Sequence, residues 1–174
     1  MGDDERLAQF QRAILPHLDA AYNLARWLTH NDHDAEDVVQ EASLRAYQFF
    51  DGFHGTDGRP WLLRIIRNTC YTWLERNRTV KPATLDEEIH PVVSPDPGPV
   101  NRLIQSEDRQ LLSDALEELP AEYREVIVLR DLEGLSYKEV ASVVSIPIGT
   151  VMSRLARGRE RLCQVLTDRA TKET

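Results

Sequence analysis

Between Val80 and Asn101 the chain reads VKPATLDEEIHPVVSPDPGPVN, and the five prolines and one glycine of this segment constrain the fold more than any other feature. Proline fixes its own φ and lacks the backbone N–H that a helix or a central strand needs, so neither crosses the segment. The spacing predicts two folded units joined by an acidic, proline-rich flexible linker: an N-terminal unit over 1–79, the linker over 80–101 and a C-terminal unit over 102–174.

On both sides of the linker, apolar residues recur at intervals of three and four, with few β-branched runs. The chain is therefore expected to be all-α. The pattern predicts helices over 5–29, 34–50, 59–77, 101–117, 120–132, 136–144 and 147–167. With 174 residues and 41% hydrophobic content, the chain can bury two small helical cores.

The net charge of −8 argues against a nucleic-acid partner until its distribution is considered. Residues 1–80 carry 9 basic and 12 acidic side chains, residues 81–119 carry 3 and 9, and residues 120–174 carry 9 and 8. The acid is concentrated around the linker. Arg59 to Lys81 holds six basic residues against Glu75 alone, and Met152 to Lys172 holds six against Glu160 and Asp168. Two basic helices thus flank an acidic connector.

The C-terminal unit contains LSYKEVASVVSIPIGTVMSRLARGRERL, which has the layout of a helix-turn-helix. Ser136 and Glu139 have capping-box spacing, Val140, Val143 and Val144 supply a buried side, and Ala141 lets the next helix come close. The break falls at Ser145 and Ile146, and Pro147 suits the first position of the following helix. There Val151, Leu155 and Leu162 face inward at spacings of four and seven. Thr150, Ser153, Arg154, Arg157 and Arg161 lie opposite, where short hydroxyls and guanidinium forks suit base edges and phosphates in a major groove. A solvated basic face is the alternative.

In the N-terminal unit, DAEDVVQEASLRAYQFF places Ala35, Val38, Val39, Ala42, Ala46 and Phe49 on one inward stripe. Asp37, Gln40, Glu41, Leu44 and Tyr47 follow the same period on another side, and apolar groups among acids there suggest a partner surface. The segment FFDGFHGTDGRP, with three glycines, predicts an ordered non-helical loop. After it, PWLLRIIRNTCYTWLERNR sets Arg64, Arg67, Arg76 and Arg78 beside Trp61 and Trp73, a combination that suits phosphate attraction and base stacking on a single strand. Core packing is the competing role for the tryptophans.

These segments together resemble a known family. LP followed by YREVIVLRDLEGLSYKEVA and GTVMSRLARGRERL resembles region 4 of the extracytoplasmic-function sigma factors, of the sigma-70 family, and the two N-terminal segments resemble sigma region 2. The resemblance covers roughly 7–78 and 103–166 and implies an alternative sigma factor that binds core RNA polymerase, recognises promoters and promotes DNA opening. It implies that Asp37, Gln40, Glu41, Leu44 and Tyr47 dock on the β′ clamp helices, with the β subunit also a partner. Phe53, His54 and Asp57 of the loop, with Arg64, Arg67 and Asn68, would read the downstream promoter element, the loop by holding a flipped base. Thr150, Met152, Ser153, Arg154, Ala156, Arg157 and Arg161 would form the recognition helix for the upstream element. An anti-sigma factor is a further expected partner. Two departures stand out: Ser145 occupies a turn position that is usually glycine, and Met152 a position where Lys or Arg is common.

A helix-turn-helix regulator that binds DNA alone is the alternative, and it accounts only for the C-terminal half. No nucleophile set, phosphate loop or paired carboxylates point to an enzyme, and no cofactor is expected. Cys70 and Cys163, far apart, are expected to be reduced packing residues. His30 and His33 lack companions for a metal site. No apolar run is long enough to span a membrane and the acidic N-terminus is unlike a secretion signal, so a cytoplasmic protein with no membrane insertion is expected. The linker predicts that the two units sample compact and extended arrangements.

Overall fold

Pro16 divides what the periodicity presents as one long first helix. In the computed structural model, which describes residues 2–78 and 106–173, helix α1 (Asp3–Ile14) gives way to a single 3-10 turn at Leu15–His17, and α2 runs from Leu18 to Thr29. The reason is proline's missing N–H and its clash with the preceding turn. Helix α2 ends on His30 in the left-handed conformation (φ 59°), and Asn31 caps α3 (Asp32–Gln48) by accepting the Asp34 N–H at 3.0 Å. After the loop comes α4 (Gly58–Arg78). The expected linker over 80–101 lies outside the described residues.

The C-terminal unit comprises α5 (Ser106–Glu118), α6 (Ala121–Ile127), α7 (Tyr137–Val144) and α8 (Ile148–Lys172). The expected helix over 120–132 is not uniform. At Val128–Leu132 it widens into a π turn, in which the Glu133 N–H reaches back to the Val128 carbonyl at 2.9 Å, and Gly134 follows with φ 74°. The last helix continues to Lys172, past the expected end at 167. All regular structure among the described residues is helical.

In the N-terminal unit α2, α3 and α4 pack on one another through Leu24, Leu28, Val38, Leu62, Leu63 and Ile66, all buried. Each such side chain contributes about 1.5–3 kcal/mol. In the C-terminal unit α6, α7 and α8 close over Val126, Val140, Val143, Val151 and Leu155. The two buried sets join into one cluster, because α4 packs against α7 and α2 against α6. In the described arrangement the two units pack directly on one another.

Three burial assignments need correction or refinement. Phe49 is 66% exposed, because α3 stops at Gln48 and the next residue leaves the helical period for a tight turn at Phe50–Gly52. Tyr47, assigned to the outer set, is half-buried against Phe10, since α1 crosses there. Cys163 is exposed on the outer face of α8, whereas Cys70 is buried and its thiol is pushed up to about 12, by burial first and then by the field of Glu125.

Candidate docking and nucleic-acid interface

The outer face of α3 presents Asp37 and Gln40 to solvent, with Leu44 68% exposed one turn on. Glu41 is half-buried and held: Arg45 donates to it at 2.8 Å, and Arg76 of α4 lies 3.7 Å away. Tyr47 closes this face while packing edge-on to Phe10, with the Arg6 guanidinium 4.5 Å above its ring. An exposed leucine among fixed charges is a surface with unspent hydrophobic contact. Phe49 adds a second exposed apolar group just beyond the helix end.

Phe53 holds the loop after α3 in place from inside. It is half-buried, stacked 5.9 Å from Phe50 and tilted 5.1 Å from Trp61. His54 is exposed. Asp57 is also exposed, accepts the Arg59 N–H at 3.0 Å and lies 3.7 Å from His17 Nε2. Gly58 opens α4 so close to α1 that a Cβ there would sit 2.4 Å from the Ala13 carbonyl oxygen, which no larger residue permits. Trp61 and Trp73 pack partly buried against the core, while Arg64 and Asn68 stand out from α4.

Arg67 behaves differently from its neighbours. Its Nε and Nη2 donate at 3.0 and 3.3 Å to Glu125 of α6, which also accepts from the Tyr71 hydroxyl at 3.0 Å. The same guanidinium covers the Tyr71 ring at 4.3 Å. Burial alone lowers the Arg67 pKa, but the bond and field of Glu125 outweigh it and the net direction is up. The Tyr71 hydroxyl is pushed well above its ordinary value, mainly by burial and next by the charge of Glu125. Neither Glu125 nor Tyr71 was expected to matter from the periodicity. One signal was available: an acid inside the apolar run YREVIVL must find a partner when buried.

In the helix-turn-helix, α7 and α8 meet at 98°. Ser136 and Glu139 form the capping box in both directions, at 3.1 and 3.0 Å. Ser145 takes the left-handed conformation (φ 57°) that turns the chain, and Pro147 serves as the N-cap, one residue before the expected position. Met152, Ser153, Ala156, Arg157 and Arg161 are exposed, whereas Thr150 and Arg154 are half-buried. Ser153 is turned back to the Gly149 carbonyl at 3.0 Å, and Arg161 stacks 5.0 Å over Tyr123. Arg159 makes two bonds to Asp131 of the π turn and so anchors α8.

His30 is half-buried and His33 exposed, and no cluster of three or more potential metal ligands occurs among the described residues. No single helix among them is long and apolar enough to cross a membrane.

Comparison with known proteins agrees with this layout. Residues 13–80 match the family model for sigma-70 region 2, and residues 109–162 that for sigma-70, region 4. The chain is 33% identical over 171 residues to the ECF RNA polymerase sigma factor SigE of Mycolicibacterium smegmatis, covering 98% of this chain and 66% of that protein. It is 36% identical over 137 residues to the ECF RNA polymerase sigma-E factor of Escherichia coli, covering 74% of this chain and 72% of the other. Among solved structures, it resembles the sigma factor RpoE in complex with the anti-sigma factor NepR from Bartonella quintana, with TM-score 0.73 and 32% identity over 91% of this chain and 97% of that one. CnrH in complex with the cytosolic domain of CnrY shares the fold at TM-score 0.64 and 24% identity, over 91% of this chain and 88% of that chain.

Proposed function

The chain belongs to the extracytoplasmic-function sigma factors of the sigma-70 family, the alternative sigma factors of transcription initiation, and from that premise we propose how its surfaces divide the work. The observation that carries the reading is the ordered pair of region 2 and region 4 matches, with a helix-turn-helix in the second. The outer face of α3, with Asp37, Gln40, Glu41, Leu44 and Tyr47, docks on the β′ clamp helices of core RNA polymerase. Phe53, His54 and Asp57 of the loop, with Arg64, Arg67 and Asn68 of α4, take the downstream promoter strand. The start of α8, from Thr150 to Arg161, enters the major groove of the upstream element. Arg154 and Arg157 are the side chains suited to base edges there.

Non-enzymatic action in the cytoplasm fits this role, which needs binding and DNA distortion but no bond chemistry by the chain itself. An anti-sigma factor is a fitting partner, since the Bartonella quintana relative was solved with one. A stand-alone regulator would leave the region 2 match unexplained.

The test pairs Asp37→Arg with Leu44→Glu, two exposed positions off the core. Binding to core polymerase should weaken at least about tenfold, roughly 1.4 kcal/mol, with the helical content unchanged. Unchanged affinity in a pull-down removes the docking assignment. Arg154→Ala and Arg157→Ala should each cost about 1–3 kcal/mol on the preferred upstream sequence, while equal losses on every duplex would indicate phosphate contacts only.

A further inference from the structure

Outside the apolar core, the C-terminal unit buries a carboxylate against groups of the N-terminal unit. The Glu125 side chain is 1% exposed, and it accepts hydrogen bonds from Arg67 and Tyr71 of α4. These are a guanidinium and an aromatic ring, the two groups with which a protein holds a single nucleic-acid strand. They also share one face of α4: Arg64, Arg67 and Asn68, and Tyr71 follow at intervals of three and four. In the compact arrangement Glu125 takes two of the three nitrogens of Arg67 and the hydroxyl of Tyr71, while Arg67 itself covers a face of the ring.

We propose that Glu125 stands in the place of a nucleic-acid phosphate, so that closure of the two units and binding of single-stranded DNA along α4 compete for Arg67 and Tyr71. The inference rests on the assignment of α4 to the promoter strand and adds to it a latch built into the free chain. Its strength is suited to release. A buried ion pair gives back in attraction about what it loses in hydration, so it specifies the closed arrangement without adding much to its stability. Removing one partner is different, because the other charge is then left dry and unpaired. Chains held closed cannot offer Arg67 to DNA, and the apparent affinity falls by the fraction that is open. Polymerase or promoter DNA that engages the open form shifts the population toward it.

The experiment uses the full chain, a fluorescently labelled single-stranded oligonucleotide, and a dye pair on the exposed Cys163 and on Gln48→Cys, since Cys70 is buried. Glu125→Gln should tighten oligonucleotide binding at least about fivefold and lengthen the separation between the dyes. Tyr71→Phe keeps the ring and every charge, loses one bond to Glu125, and should move both readouts the same way by less. It decides the matter alone if Glu125→Gln does not fold. Tighter binding at an unchanged dye separation overturns the latch, because loss of a negative charge then accounts for the gain. No change in either readout overturns it as well. Arg67→Ala separates the two layers: if it weakens oligonucleotide binding while Glu125→Gln and Tyr71→Phe do nothing, the latch fails and the assignment of α4 stands. If Arg67→Ala changes neither the binding nor the dye separation, both fall together.

Discussion

Arg124 gives the sharpest test of how the C-terminal unit is held together. It is 5% exposed, and its guanidinium donates to the Leu116 carbonyl at 2.9 Å, Glu117 at 3.0 Å and Leu119 at 2.6 Å, with a longer bond to Trp27 of α2 at 3.4 Å. Leu116 and Glu117 lie in the last turn of α5 and Leu119 just past it, where a helix leaves its last acceptors short of internal partners, although the Leu116 carbonyl also accepts the Leu119 N–H at 3.1 Å. One buried arginine therefore caps a helix and touches the other unit. Arg124→Met keeps the apolar stem but strands the Glu117 and Leu119 acceptors, at about 1–3 kcal/mol for each that water does not reach, while Leu116 keeps the Leu119 N–H. Removing a buried charge returns part of this, since the guanidinium no longer has to be dehydrated. The expected net loss is about 3 kcal/mol. With a urea slope of about 2 kcal/mol per molar, the denaturation midpoint followed by helical circular dichroism should fall by about 1.5 M. Arg124→Lys should lose as much, because an ammonium cannot present the planar fork that reaches several carbonyls at once. A loss below about 1 kcal/mol for the methionine variant, or full recovery with lysine, would refute the capping argument.

Three other outcomes follow from the same structure. Ser145→Gly should stabilise the chain by about 0.5–1 kcal/mol in a thermal melt, because φ 57° strains a residue with a Cβ; a loss of stability would show that no strain is stored there. Gly58→Ala should destabilise by about 2–3 kcal/mol although alanine is the better helix former, since its Cβ would meet the Ala13 carbonyl at 2.4 Å; a melt equal to the parent would contradict this. His30 has a pKa lowered from 6.5 to about 4, by burial first and then by Arg124 and Arg26, and Glu117 at 3.7 Å does not reverse it. The unfolded chain thus takes up that proton first as pH falls, so stability is full above pH 6.5 and declines toward about pH 4. His30→Asn, which tolerates the left-handed backbone, should flatten that decline, and an unchanged pH profile of the urea midpoint would rule the histidine out.

The all-helical class, the helix-turn-helix and the inward faces of most helices were legible in the sequence because they depend on local chemistry. A period of three and four, a Ser136 to Glu139 capping box and a proline beside a turn act over a few residues, and each acts the same way whatever lies nearby. The order of the two units and their resemblance to sigma regions 2 and 4 were visible for the same reason. The errors came where a local rule met a non-local one. Tyr47 turned inward because α1 crosses it, and Phe49 turned outward because the chain leaves the helix at Gln48. The π turn at Val128–Leu132 has no composition of its own by which the sequence could announce it.

What tertiary structure alone decided is which charges meet across the chain. Sequence reading put Arg67 among DNA contacts on the strength of its neighbours, and nothing within a few residues of it says that Glu125, far along the chain, will reach it. A residue such as Arg124 likewise reads as one more charge on a helix until the carbonyls of α5 and the backbone of α2 surround it. Periodicity reports which side of a helix faces inward, because that depends on the helix itself. The partner it finds there depends on how the helices are laid against one another, and for buried charges that choice determines whether a group is stable, free or held in reserve.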